Sequence, residues 1–302
     1  MPGRKSEMSS ERVHALDKEA INLFASKGFC TPQIANENGV KVRRVMQLIR
    51  DFSKKPFDQL RILDLACGEG VYAIEAALRG AEVIALDART ERMNDGAKIA
   101  EQLGLKNLIF DKADIRNVTV GSHGIVDVVL FLGILYHLHQ NDIFPVLKNL
   151  CGMCEQFVVI DTQIALQEKV HIENEGHQYS GTQYREHADD DSDEVRKGRL
   201  LSSLDNPLSF WFTKESLFRL LNNTGFTSVC ECTVPLEPYK PANRITLIAS
   251  RGERVKISSY PWVNDKTEEE LRQILAGSIL ASREKLGARI LRFLKSIGNA
   301  KR

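Results

Sequence analysis

The sequence predicts an α/β fold: a doubly wound, mostly parallel seven-stranded sheet with helical extensions at both ends and a long insertion. Three observations carry this. From residue 61 onward, short runs rich in Val, Ile and Leu alternate with amphipathic segments, the pattern of strands covered on both faces. Two late runs, 228–234 and 244–250, follow one another with no helix between them, so they should form an antiparallel edge. The 302 residues are 43% hydrophobic and 27% charged, an ordinary globular balance with ample material for a core.

Taken in order, residues 9–27 and 40–52 show helical periodicity and flank a breaker-rich link, Gly28-Phe29-Cys30-Thr31-Pro32. They make residues 1–56 an N-terminal helical cap. Strands are expected at 61–66, 82–87, 107–110, 126–132 and 157–161, and helices at 71–78, 91–103 and 141–150. Phe212-Thr213 opens a further helix, 214–223, and the two edge strands complete a domain over 57–252. Within it, residues 164–207 lose all periodicity and hold three of the seven histidines, Gly176, Gly181 and the acidic run 189–194. A stretch of that length inside an α/β domain is unstructured or functional, and it is read as a lid over the open end of the sheet. In the extension 253–302, Thr267 and Glu270 have capping-box spacing. Leu271, Ile274, Leu275, Leu286, Ile290 and Leu294 form one apolar stripe that suits its own domain or a homodimer.

Forty-one Lys and Arg against 40 Asp and Glu leave a net charge of +1, which removes any bulk-charge case for nucleic acid or membrane. The longest apolar run, Val126 to Tyr136, is about half of the roughly 20 residues a span requires, so no membrane partner is expected. The polar N-terminal residues hold no apolar leader, and a cytoplasmic location is expected. Six cysteines are too sparse for a disulfide scaffold. Cys151-Gly-Met-Cys154 and Cys230-Glu-Cys232 are too loosely spaced for a zinc site, and no metal is assigned.

The chemistry begins at Asp64-Leu65-Ala66-Cys67-Gly68-Glu69-Gly70, a strand running into a small-residue turn that opens a helix. Gly68 and Gly70 let a ligand approach backbone amides at the helix start. The spacing is neither G-x-G-x-x-G nor a P-loop, and Asp64 would repel a phosphate but attract a cationic amino-acid group. The second strand ends in Asp87-Ala88, where a carboxylate can accept two ribose hydroxyls. Asp114-Ile115 follows the third strand and suits an adenine amino group.

These residues resemble the class I S-adenosylmethionine-dependent methyltransferases, over about 61–163 and 213–251. Ala66 stands where that family's motif usually has its first glycine. The resemblance implies a Rossmann-like sheet with a reversed last strand and S-adenosylmethionine as cofactor, leaving as S-adenosylhomocysteine. By it, Asp64, Ala66, Cys67, Gly68 and Gly70 surround the methionine part, Asp87 and Ala88 hold the ribose, and Asp114 and Ile115 frame the adenine. Leu132 and Gly133, at the end of the fourth strand, would pass beside the cofactor. The string Gly133-Ile-Leu-Tyr-His-Leu138 is similar to one in small-molecule methyltransferases and in the tRNA-uridine carboxymethyltransferase-like group.

A sulfonium is already a good leaving group, so the protein must align a nucleophile and exclude water. A hydroxyl acceptor benefits from a base that titrates near neutrality, and His137 is the first candidate. Tyr136 begins the acceptor wall. His171, His177, Tyr179, Tyr184 and Arg185 in the insertion, with Trp211 after it, are further candidates for orienting a polar substrate. The expected activity is methyl transfer to an oxygen or nitrogen of a small molecule. The alternative is an RNA-modifying methyl- or carboxymethyltransferase, on the strength of Lys41-Val42-Arg43-Arg44 and a basic tail. A carboxylated cofactor would need a cation beside the transferred group, for which Arg89 and Arg185 are available.

Overall fold

The structure is a computed structural model that describes residues 32–253, apart from 235, 238 and 239, together with residue 273. The chain divides into two units, Met1–Gly252 and Glu253–Arg302, and the described residues lie almost wholly in the first. The helix expected over 9–27, the C-terminal stripe and its Thr267–Glu270 cap lie outside the described residues.

The described chain starts in α1 (Pro32–Phe52), which continues through Gly39 where a link had been expected to end at Pro32. Proline is tolerated in a first helical turn, so it does not break this one. There follow β1 (Arg61–Leu65), α2 (Val71–Leu78), β2 (Glu82–Asp87), α3 (Thr90–Gln102), β3 (Leu108–Lys112) and the short α4 (Val120–His123). Then come β4 (Val126–Leu132), α5 (Gln140–Met153), β5 (Cys154–Gln163), β6 (Val170–Asn174), β7 (His177–Arg185) and the short α6 (Asp193–Gly198). The last elements are β8 (Leu208–Phe212), α7 (Lys214–Thr224), β9 (Ser228–Glu231) and β10 (Arg244–Ser250).

Seven strands form one sheet in the order β3-β2-β1-β4-β5-β10-β9. The first five are parallel, and β10 runs antiparallel to both β5 and β9, the reversed edge that the sequence predicts. Strand residues alternate between faces, so each strand feeds two cores. On one side Leu63, Val129, Phe131, Val158 and Ile160 pack with Leu147, Leu217 and Leu221 of α5 and α7. On the other, Ile62, Val128, Leu130 and Val159 meet the alanines of α2 and Val42, Val45, Met46 and Ile49 of α1. Those four lie at helical i, i+3, i+4, i+7 spacing, and each buried side chain contributes roughly 1.5–3 kcal/mol. Arg44, read from sequence as part of a solvent-facing basic cluster, is instead buried and ion-paired with Glu237 on the link between β9 and β10.

The insertion is not the patternless lid expected. Its first half is a β-hairpin, β6–β7, which pairs with β8 in a separate three-stranded antiparallel sheet. Val170 and Ile172 face the core while His171 and Glu173 face out, a two-residue period obscured by the surrounding polar residues. Gly181 is a packing requirement and not a hinge, since a Cβ there would collide with the Phe210 ring and the Trp211 carbonyl. Among the described residues no helix is long and apolar enough to cross a membrane.

Candidate active site

At the carboxyl ends of β1, β2 and β4, where the strand order reverses, lies a cavity of about 500 Å³. The turn after β1 forms its floor. Ala66, Gly68 and Gly70 all take left-handed backbone conformations, with φ of 55°, 56° and 74°. A Cβ on Gly70 would collide with Phe110 of β3, and one on Gly68 would stand 2.9 Å from the Arg92 guanidinium. Both glycines therefore serve packing, and Gly68 also lines the cavity.

Asp87, at the end of β2, builds that turn. Its Oδ2 accepts from the Gly68 amide at 2.9 Å and its Oδ1 from the Arg89 amide at 2.8 Å. Each oxygen keeps a second lone pair, and Asp87 and Ala88 both line the cavity. Asp114 and Ile115 line it from the end of β3. Asp114 is held by Arg116 at 2.5 Å, and this guanidinium also reaches Asp205 at 2.7 Å. That pairing and the Arg116 amide keep the Asp114 carboxyl below its ordinary range against the opposing effect of burial. Cys67, Leu132 and Gly133 line the same part of the cavity. Burial pushes the Cys67 thiol far up, with the nearby Asp64 and Asp87 carboxyls adding to it, so it packs and does not react.

Asp64 departs from the sequence reading. It shares the α2-facing side of β1 with Ile62, is 2% exposed and does not line the cavity. Burial, reinforced by Asp87 and opposed by the Ala73 amide, raises its carboxyl to about 8. Among the described residues its Oδ2 has no hydrogen-bond partner. Gly70 likewise supports the turn from beneath.

Another wall of the cavity is built on the turn after β4. Residues Leu135–His137 form one 3₁₀ turn, which carries Tyr136 and His137 into the cavity. The strand β8 holds this turn. Trp211 Nε1 donates to the Tyr136 carbonyl at 2.9 Å, the Phe210 amide donates to the Leu138 carbonyl at 3.1 Å, and Asn206 Nδ2 donates to the His137 carbonyl at 3.1 Å. The His137 ring meets Glu186 through Nδ1, 2.9 Å from Oε1. Ser209 Oγ donates to the same oxygen at 2.9 Å, and the Ser203 amide donates to Oε2 at 3.1 Å. Three groups thus converge on one buried carboxylate, which orients the ring with Nδ1 toward Glu186 and Nε2 away from it.

The other candidates of the insertion are not brought together with this cavity. Tyr179 is buried against Phe144 and Phe212, its hydroxyl accepting from Asn223 at 3.0 Å. His171 lies on the outer face of β6 beside Ser180 and Glu168. His177 borders a separate surface cleft with Lys148 and Asn223. Arg185 pairs with exposed Asp189, and Tyr184 stacks on Trp211 with ring centroids 4.6 Å apart. The insertion's contribution to the cavity is instead residues 200–206, downstream of every residue singled out in it. Glu186 was also missed, since its partner lies 49 residues earlier and the only local signal was a carboxylate beside His187.

Residues 56–197 match the family model described as a methyltransferase domain. This stretch, just under half of the chain, carries a methyltransferase domain. Curated relatives of this methyltransferase domain include ubiquinone biosynthesis O-methyltransferases from Methylocella silvestris, 34% identical over 100 residues, and from Brucella anthropi, 34% identical over 90 residues. These matches cover 32% and 30% of this chain and span 37% and 36% of the relatives, little more than a third of their length. Among solved structures, the N-terminal domain of EvdMO1 with S-adenosylhomocysteine bound aligns with a TM-score of 0.56 at 21% identity, covering 70% of this chain and 81% of that one. The 1,6-didemethyltoxoflavin-N1-methyltransferase of Burkholderia thailandensis aligns with a TM-score of 0.51 at 15% identity, covering 83% and 94%. At these identities the alignments speak for the fold.

Proposed function

We propose that this chain transfers a methyl group from S-adenosylmethionine to a hydroxyl of a small, largely apolar molecule. The observation that carries the oxygen acceptor is the His137–Glu186 pair at the cavity wall. The nucleoside side fits the cofactor: open backbone at residues 66–68, the spare lone pairs of Asp87, and Asp114 with Ile115 at the far end. When bound, S-adenosylmethionine supplies an electrophilic methyl on a positively charged sulfur. Asp87 would take the ribose hydroxyls while continuing to hold the turn. His137, held in one tautomer by Glu186, would accept the acceptor's hydroxyl proton at Nε2 as the oxygen becomes nucleophilic. Val42, Tyr72, Ile134, Tyr136, Leu138, Leu200 and Leu201 would bind the apolar body and exclude water from it.

A second reading has one observation in its favour. Arg244, ion-paired with Asp161 at 2.5 Å, lies over the Tyr136 ring at 5.4 Å, and its Nη2 would stand 3.4 Å from a Cβ on Gly133. On this reading Arg244, behind Gly133 and Tyr136, would be the cation that a carboxylated cofactor needs, whereas Arg89 and Arg185 are engaged elsewhere. One experiment separates the readings. The full chain is incubated with isotope-labelled S-adenosylmethionine and a cell extract, and the small-molecule and RNA fractions are resolved by mass. Label entering a small molecule as one methyl supports the first reading. Label confined to RNA, or no label transferred while a carboxylated cofactor adds a carboxymethyl group, overturns it.

A further inference from the structure

We propose that Arg89 is a positioning residue that clasps residues 197–206 over the nucleoside site, so that cofactor must bind before the acceptor site is complete; this rests on the cofactor reading above. The guanidinium donates to four carbonyls of one segment: Lys197 at 3.2 Å, Arg199 at 3.2 Å, Ser202 at 3.2 Å and Ser203 at 3.0 Å. Arg92 adds the Leu200 carbonyl at 3.3 Å, and Arg116 holds the far end through Asp205. Both ends of the strap are thus fastened by residues two positions after a carboxylate facing the nucleoside, Asp87 before Arg89 and Asp114 before Arg116. Residues 200–206 line the cavity, so the nucleoside lies beneath the strap and enters when it lifts.

The outer part of the strap is held by polar contacts. Leu200 and Leu201 are 47% and 84% exposed, so little apolar burial keeps it down. The bonds from Arg89 are charge-assisted, and the fork of one guanidinium gathers four of them along one segment. The consequence reaches the acceptor side, because the Ser203 amide is one of the three donors that fix Glu186, and Glu186 fixes His137. With the strap lifted, that carboxylate loses a donor and the acceptor pocket loses a wall. Filling the nucleoside site steadies Asp87, whose Oδ1 holds the Arg89 amide, and the clasp closes on a full site.

The test is hydrogen exchange on the full chain, with S-adenosylhomocysteine as the probe and calorimetry to follow its binding. In the wild type, saturating S-adenosylhomocysteine should slow exchange across 197–206 at least ten-fold. In Arg89→Gln that slowing should vanish although the ligand still binds. Arg89→Lys should also fail, because an ammonium keeps the charge without the fork. Asp205→Asn, which frees the other end, guards against a general failure of the Arg89 variants to fold and should halve the protection or more. Equal slowing in wild type and variants, or a strap equally protected with and without ligand, overturns the clasp. An absence of binding heat in the wild type overturns the cofactor reading and the clasp together.

Discussion

The Nδ1 of His137 lies 2.9 Å from Glu186 Oε1, across 49 residues of sequence, and the histidine alone of the two reaches the cavity. Glu186 accepts from a ring N–H, a hydroxyl and a backbone amide, so its chemistry is that of a fixed acceptor. Glu186→Gln keeps the shape and inverts the dipole, since an amide NH₂ facing Nδ1 forces the ring proton onto Nε2. The expected outcome is a fall in turnover of about 10²- to 10⁴-fold, the range for losing a correctly poised base. His137→Ala should fall by as much. Steady-state rates with the acceptor found by isotope transfer check both, alongside an unchanged dissociation constant for S-adenosylhomocysteine. Undiminished turnover in either variant would remove the pair from the reaction.

On the proposed reading Asp87 would hold the ribose as well as the turn, and removing it should expose both. Asp87→Ala abolishes acceptors for the Gly68 and Arg89 amides as well as for the ribose. S-adenosylhomocysteine binding should weaken by about 2–4 kcal/mol, the scale for charge-assisted hydrogen bonds. Asp87→Asn retains one acceptor oxygen and should lose roughly half as much. Titration calorimetry reads both, and an unaltered constant in the alanine variant would contradict the ribose assignment.

What the sequence makes legible is whatever is local. The strands at 61, 82 and 126 announce themselves because β-branched and Leu residues run unbroken between turn residues, and the sheet places their ends together without further information. Asp87, Ala88, Asp114, Ile115, Leu132 and Gly133 line the cavity for the same reason: each sits at the end of a strand or within three residues of it. Asp64 was misplaced because strand position alone does not say which face a side chain takes. Its two-residue phase with Ile62 would have put it under α2. Glu186, the strap and the burial of Arg44 depend on where a distant segment returns, Arg44 meeting Glu237 across 193 residues, and no periodicity carries that. Hairpin β6–β7 fell between the two cases, its alternation real but too short among polar residues.

Asp64 predicts an unusual pH dependence of stability. Its carboxyl is raised to about 8 by burial and by Asp87, whereas in the unfolded chain it titrates near its ordinary value of about 4. Between those two values the native state binds the extra proton, so the group favours folding at low pH. That contribution declines as pH rises toward 8 and stays flat above it. One proton allows a slope of at most about 1.4 kcal/mol per pH unit. Asp64→Asn, which cannot ionise, should remove this slope and be the more stable protein at pH 9. Urea unfolding of both proteins from pH 5 to pH 9 measures the difference; parallel curves would mean that Asp64 ionises freely in the folded chain.

Ala66 sits at φ 55° where the motif it resembles usually carries glycine, in the turn that Asp87 organises through the Gly68 amide. A left-handed conformation costs an L-residue with a Cβ roughly 1–2 kcal/mol. Glycine adopts it freely but brings a more disordered unfolded chain, worth about 0.5–1 kcal/mol in the opposite direction. The two effects leave Ala66→Gly more stable by roughly 0.5–1 kcal/mol, a rise in melting temperature of about 1–4 °C for a domain of this size. The substitution also bares more backbone at the cavity floor, since Ala66 lines it. Cofactor affinity should therefore hold or improve, as a Cβ is withdrawn from the ligand side. A variant that melts lower than the wild type would show that Ala66 is not strained, and would place the turn in a different backbone conformation.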